Sequence, residues 1–337
     1  MKTLQAFLIL CLYSCVSLVT YAESTAEFEA RGIIMIDKRG NLVRFFDPVT
    51  FKEISNLAID GTPHELALSP DRNTAYVPNY GDGVYGRNPN PGQSIAVIDL
   101  ATRKVRHTID ISPYQAPHGI MVDRAGTLYV SCDISRKLLV INPNTFAIDA
   151  AIDTVGEGHW VVVTPDGKKA YTANKRDKLF VSAIDIPQQK VVAEIAMPNG
   201  TQGIGISPDG QYVLAIDMAE PRMMKIDTTT DKVIENIALP NLENGAWDAE
   251  VSPNGQFVTV ISARERKANL YRANNLQAPL ATLTAGSQPF GVEYTPDGKS
   301  VLVSNHGDGT VSVFDLASQQ LVNTINAGTG IETLAYY

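Results

Sequence analysis

With 337 residues, 44% hydrophobic and only 7% aromatic content, the chain is long enough for one large all-β domain and contains no stretch that reads as a linker. Its net charge of −8 argues against nucleic acid or an anionic membrane as the main partner. Of the three cysteines only Cys132 lies outside the N-terminal apolar segment, so no internal disulfide can form there and stability must come from packing.

Residues 1–22 read as a Sec signal peptide. Lys2 precedes the apolar stretch Phe7 to Val19, and Thr20-Tyr21-Ala22 places small residues where a signal peptidase cuts. Cleavage near Ala22 and a periplasmic or secreted location are expected, with residues 23–337 forming a single domain. No later apolar stretch reaches the roughly 20 residues that span a bilayer.

Residues 32–59 supply three strands. A recurring phrase then sets the organisation of the chain: Ser69-Pro70-Asp71, a worn copy at Asp123-Arg124-Ala125-Gly126, then Thr164-Pro165-Asp166-Gly167, Ser207-Pro208-Asp209-Gly210, Ser252-Pro253-Asn254-Gly255 and Thr295-Pro296-Asp297-Gly298. The residues five before each copy are His64, His118, His159, Gln202, Trp247 and Phe290, spaced by 54, 41, 43, 45 and 43 positions. That period matches one four-stranded propeller blade. Each unit shows an apolar strand before the turn, a second strand after it (Ala75-Tyr76-Val77, Leu128-Tyr129-Val130), a third such as Ile95 to Asp99, and a fourth such as Lys104 to Ile109. Six units cover residues 62–327, and residues 330–337 form an innermost strand with Ile331 at the anchor position. Joined to the three N-terminal strands, it completes a seventh blade and leaves no open sheet edge. The fold expected is a seven-bladed all-β propeller.

With these repeats in place the chain resembles the YVTN-repeat (YncE-like) β-propellers, exported bacterial proteins whose repeats carry a Ser/Thr-Pro-Asp-Gly turn followed by a Tyr-Val-x-Asn-like strand. The matching segments are residues 165–174, Tyr76-Val77-Pro78-Asn79 and residues 296–305. The resemblance implies the fold and an exported location over nearly the whole chain beyond residue 22. It leaves function open, because such propellers include binding proteins, enzymes and redox subunits. No Cys-x-x-Cys-His attachment for haem c is present, and five histidines are too few for a copper cluster like that of nitrous oxide reductase.

In a propeller the anchor residues converge at one mouth of the central channel. Here His64, His118, His159 and Gln202 come from four consecutive blades, with Trp247, Phe290 and Ile331 completing the ring. Converging imidazoles commonly hold a first-row metal and leave positions open for water or substrate. His64, His118, His159 and Gln202 are therefore the candidate ligands for a divalent metal, Zn, Mn or Ca. Two other readings stand beside it: histidines that hydrogen-bond the backbone at strand starts, and acid/base or ligand contacts without metal. The donor types resemble those of the oligogalacturonate lyases, in which a metal neutralises a substrate carboxylate while a base removes a proton. Glu65, Asp248 and Glu332 are the candidate catalytic carboxylates, with Glu250 and Glu293 deeper in the channel.

A second ring, Asp37, Asn79, Asp133, Asn174, Asp217, Ser262 and Asn305, ends the second strands and is expected to cap the following turns. The residues after it vary, and among them Tyr80, Lys175 and His306 are candidate ligand contacts. The overlong blade carries an insertion at residues 80–92 whose Tyr80, Tyr85 and Arg87 suit a loop overhanging the mouth. Trp247 and Phe290 add an apolar wall. The partner expected is a small polar or anionic molecule, either bound or processed by metal-assisted lyase or hydrolase chemistry. A protein partner docking on the propeller remains the third reading.

Overall fold

The computed structural model describes residues 28–85 and 87–337, so the expected signal peptide and its cleavage point lie outside the described residues. Its strands, numbered β1 to β28 in chain order, form seven four-stranded antiparallel sheets arranged as the blades of a β-propeller. The innermost strands are β4 (Ala67–Leu68), β8 (Pro117–Val122), β12 (Gly158–Val163), β16 (Ile204–Ile206), β20 (Asp248–Val251), β24 (Pro289–Tyr294) and β28 (Ile331–Tyr336).

The seventh blade is assembled from both ends of the described chain, as the repeat count requires. Strand β28 pairs antiparallel with β1 (Ile33–Asp37), matching Ile33 with Tyr336 and Met35 with Leu334. Strands β2 (Leu42–Phe46) and β3 (Glu53–Ala58) complete the sheet. The Asp37 carboxylate reinforces the seam by accepting from the Gly330 N–H at 2.8 Å and from the Arg44 guanidinium at 2.8 Å.

Each blade packs on the next through its own apolar cluster. One unites Ile34, Ile36 and Phe45 with Ala75, Val77 and Ile98; another unites Leu302, Val311 and Val313 with Ile33, Met35 and Leu334. Middle strands such as Phe257–Ser262 are buried along their whole length, whereas outer strands such as Gln320–Asn326 are exposed at nearly every position. The sequence follows suit, with continuous apolar runs inside and polar residues at the rim.

The recurring turn closes on itself. The Thr164 hydroxyl donates to Asp166 Oδ1 (2.7 Å), which also accepts the Lys168 N–H (3.1 Å), and Gly167 takes a φ of +67°. Only a residue without Cβ adopts that conformation freely, which explains the Asp-Gly pair. Four residues of the second ring cap the following turn as the sequence suggested, Asp37 accepting the N–H of Gly40, Asn79 that of Gly81, Asp133 that of Ile134 and Asp217 those of Ala219 and Glu220. Asn305 instead accepts the N–H of Gly286 from the preceding segment, Asn174 donates to the Phe180 carbonyl, and the Ser262 hydroxyl has no partner.

Candidate functional site

Three of the anchor residues, His118, His159 and Phe290, sit where their inner strands bulge. Between Pro117 and Ile120 on β8 the pairing with β9 (Leu128–Cys132) slips, and the slip falls on His118 and Gly119. The same slip falls on His159 and Trp160 in β12 and on Phe290 in β24. A bulge leaves a residue out of the ladder and re-aims its side chain. At His118 the Ser131 hydroxyl repairs the break, accepting the Gly119 N–H at 2.9 Å and donating to the His159 carbonyl of the next blade at 2.7 Å. Ser304 does the same between Gly291 and the Glu332 carbonyl. A Cβ on Gly119 would stand 2.8 Å from that His159 oxygen, so the glycine after the histidine is a packing requirement.

The result is a row of three imidazoles, with ring centroids 4.0 Å apart for His64 and His118 and 3.9 Å for His118 and His159. They line a mouth pocket of about 500 Å³ together with Gln202, Trp247, Phe290, His306, Lys38, Lys175, Tyr85 and Glu332. All four mouth histidines therefore face one space, while His107 lies exposed on an outer strand against Phe146. Below the mouth a channel of about 460 Å³ is lined by Glu65, Asp248, Glu250 and Glu293.

His159 turns both nitrogens toward Gln202: Nδ1 lies 3.2 Å from its carbonyl oxygen and Nε2 lies 3.4 Å from its side-chain amide. Gln202 Oε1 is left without a partner. Among the His, Cys, Asp and Glu side chains of the described residues, one group of three could hold a metal: His64, Glu65 and His118, with one potential ligand atom from each and all within 4.8 Å of one another. His118 is fully buried, and neither ring nitrogen has a hydrogen-bond partner. Glu65 thus stands beside the imidazoles as a potential ligand, where the sequence suggested a base.

Burial, then the neighbouring His118 imidazole and the Lys38 ammonium, hold the His64 pKa well below the usual histidine range. Burial, then Lys38 and Lys175, do the same to His118, and burial with the His118 imidazole does so to His159; His306 falls to about 4. The row is neutral at pH 7. Burial raises the channel carboxylates, Asp248 to about 7 and Glu65 well above the ordinary range, with Glu332 adding to the effect on Glu65.

No protein-family model matches the chain. It is 26% identical over 154 residues to an uncharacterised WD repeat-containing protein of Synechocystis, covering 44% of this chain and 43% of that one. It is 23% identical over 265 residues to antigen Lp49 of Leptospira interrogans, covering 69% and 53% respectively. The chain spans about half the length of these curated relatives. Among solved structures, a chain of Kuenenia stuttgartiensis hydrazine synthase superimposes with a TM-score of 0.73 at 21% identity, over 85% of this chain and 93% of that one. A functionally unknown protein from Desulfotomaculum acetoxidans does so with a TM-score of 0.73 at 11% identity, over 91% and 99%. At these identities the likeness establishes the fold.

The remaining sequence candidates divide. Tyr85 enters the pocket wall, its ring edge-on to His159 at 4.8 Å and its hydroxyl fixed on the Glu157 carbonyl at 2.6 Å. Tyr80 supports the row from outside the pocket lining, edge-on to His64 and His118 at 5.1 Å each, with its hydroxyl donating to Asp133 at 2.7 Å. Arg87, expected to meet the ligand, is exposed and is not among the residues lining the pocket, although its main-chain N–H closes a tight turn onto the Val84 carbonyl at the pocket's edge. Trp247 and Phe290 stack at 4.3 Å, and His306 stacks on Phe290 at 4.7 Å. Lys38 was missing from the sequence candidates, although it occupies the same post-ring position as Lys175. Its ammonium lies 2.5 Å from His64 Nε2 and 3.2 Å from a Glu332 oxygen.

Proposed function

We propose that this protein is an exported YVTN-like propeller that binds a small anionic molecule at the histidine-lined mouth. Lys175 carries the reading. Its ammonium sits 5.3 Å from the Tyr85 ring and 5.1 Å from the Trp247 ring, makes no salt bridge among the described residues, and is half-buried. Burial, then the nearby Arg176 and Lys38 charges, lower its pKa to about 8. A cation held away from water without a carboxylate partner is a strong anion acceptor. The pocket wall as a whole carries Lys38, Arg39 and Lys175 against the single carboxylate Glu332, an excess of positive charge in a chain whose net charge is −8. The Trp247, Phe290 and Tyr85 rings favour a ligand with a flat or apolar portion beside its anionic group. The signal-peptide pattern of residues 1–22 supports export.

Calorimetric titration with inorganic phosphate, acetate, succinate, benzoate and citrate tests the proposal. At least one anion is expected to bind, and Lys175→Met is expected to weaken it about tenfold or more, equivalent to about 1.4 kcal/mol. Equal affinity in the variant would remove Lys175 from the site.

A metal-assisted lyase or hydrolase is the second reading, and Asp248 favours it: a carboxyl lifted to about 7 is poised to act as a base near neutral pH. Turnover lost in Asp248→Asn with anion affinity retained is its expected signature.

A further inference from the structure

We infer that His64, Glu65 and His118 bind one first-row divalent metal ion at the floor of the mouth, in competition with the Lys38 ammonium. This goes beyond anion binding and does not depend on it. Glu65 takes the place among the ligands that the sequence gave to His159 and Gln202.

Four side-chain atoms without hydrogen-bond partners meet here: His64 Nδ1, Glu65 Oε1 and both nitrogens of His118. All three residues are more than nine-tenths buried, at 3%, 7% and 0% exposure. A buried polar group left unpaired costs about 1–3 kcal/mol, so a partner shared by these atoms would relieve that cost at one spot. The spacing suits a metal. His64 Nδ1 and Glu65 Oε1 are 3.4 Å apart. Two ligands of a tetrahedral centre with bonds near 2.1 Å stand about 3.4 Å apart, and His118 offers the third atom within 4.8 Å of both. Two imidazoles and one carboxylate match Zn²⁺, Mn²⁺ or Fe²⁺, whereas Ca²⁺ prefers an all-oxygen shell. His64 and His118 face the mouth pocket while Glu65 faces the channel, so an ion between them presents its open positions to a ligand entering the mouth.

Lys38 sets a condition on binding. Its ammonium can only donate, so with Nζ at 2.5 Å the His64 Nε2 must be the acceptor and the ring proton must sit on Nδ1. A metal on Nδ1 requires the opposite tautomer, whose Nε2–H meets the ammonium donor to donor. Lys38 must then withdraw to Glu332, already 3.2 Å away. Metal and Lys38 therefore oppose each other across one imidazole ring.

Equilibrium dialysis of chelator-stripped protein against micromolar Zn²⁺, with metal analysis and the visible bands of bound Co²⁺ as a second readout, tests this. The wild type and a control His107→Ala are expected to retain one ion per chain. Glu65→Gln and His118→Gln are expected to lose tenfold or more in affinity, and Lys38→Met is expected to gain affinity. Far-ultraviolet circular dichroism and thermal melting of the metal-free variants verify folding, and Glu65→Gln keeps the test open if His118→Gln fails to fold. A wild type that retains no ion, variants that bind as the wild type does, or a Lys38→Met that binds more weakly would each overturn the proposal. Because Lys175 lies outside the ligand set, Lys175→Met is expected to retain the ion, and its effect on anion titration is read separately.

Discussion

Thr329 donates both its main-chain N–H, at 3.2 Å, and its hydroxyl, at 2.9 Å, to the Asp37 carboxylate, tying together residues 292 positions apart. With the Gly330 N–H and the Arg44 guanidinium, these bonds outweigh the burial that would raise the Asp37 pKa and hold it below the ordinary carboxylate value. Asp37→Ala removes the acceptor of several N–H groups at the closing seam and of the Arg44 Nε–H, whose Nη1 keeps its bonds to Glu53. A loss of about 3 kcal/mol is expected, read as a lower urea midpoint with an unchanged m-value. The pH sign follows from the lowered pKa: the contribution is present above the unfolded value of 3.8 and fades as pH falls through the folded value. The stability gap between wild type and variant should narrow in acid, and a gap that does not narrow would contradict the ionised role.

Asp248 behaves in the opposite way. Burial raises its carboxyl from 3.8 to about 7, despite the Ala249 N–H that it accepts at 2.8 Å. Between those values the unfolded chain has released the proton and the folded chain keeps it, so the group penalises folding increasingly as pH rises. Asp248→Asn removes this penalty. The difference in unfolding free energy between variant and wild type is expected to grow by about 4 kcal/mol from pH 4 to 8 in favour of the variant and then level off. A difference independent of pH would show that Asp248 ionises freely in the folded protein.

The regular part of the architecture was legible because it is written as repetition. The Pro-Asp-Gly turn and its period located six blades, the seventh joined from the two ends, and six of the seven anchor residues at the mouth, since backbone geometry places equivalent residues equivalently; Ile331 is buried in the apolar core beside them. What repetition could not convey is how far a side chain reaches and which neighbour it meets. Lys38 crosses from the turn after β1 to His64, and no spacing between those positions marks that contact. Arg87 was expected to contact the ligand by residue type; it is exposed beside the mouth rather than part of the pocket wall, a position that residue type does not specify. Glu65 and Asp248, expected beside Glu332 at the mouth, line the channel below it with Glu250 and Glu293; the nearness of Glu65 to His64 Nδ1 depends on a side-chain rotation that sequence does not encode.

Ser131 offers a test of how the histidines are aimed. Its hydroxyl bridges the Gly119 N–H and the His159 carbonyl, linking the two blades that carry His118 and His159. Ser131→Ala strands both backbone groups at a fully buried position, and a loss of about 1–3 kcal/mol is expected in chemical denaturation. Ser131→Thr preserves the hydroxyl at the cost of crowding a packed site and should recover part of that loss. If alanine proves as stable as wild type, the bulge holds its shape without the serine.

Lys175 gives the anion site its own pH dependence. Its pKa of about 8 means that the ammonium is present at neutral pH and is lost as pH rises. For a fully ionised ligand such as benzoate, affinity should be level between pH 6 and 7 and then decline above pH 8, approaching tenfold per unit once the amine form dominates. The mouth histidines are expected to contribute nothing across that range, because burial keeps them neutral well below it. Lys175→Met should bind weakly at every pH with no such decline. Lys175→Arg, charged throughout, should keep a level profile to pH 9 even where its bulk lowers the affinity. If the wild-type and arginine profiles fall together above pH 8, the decline belongs to another group and Lys175 is not the anion's partner.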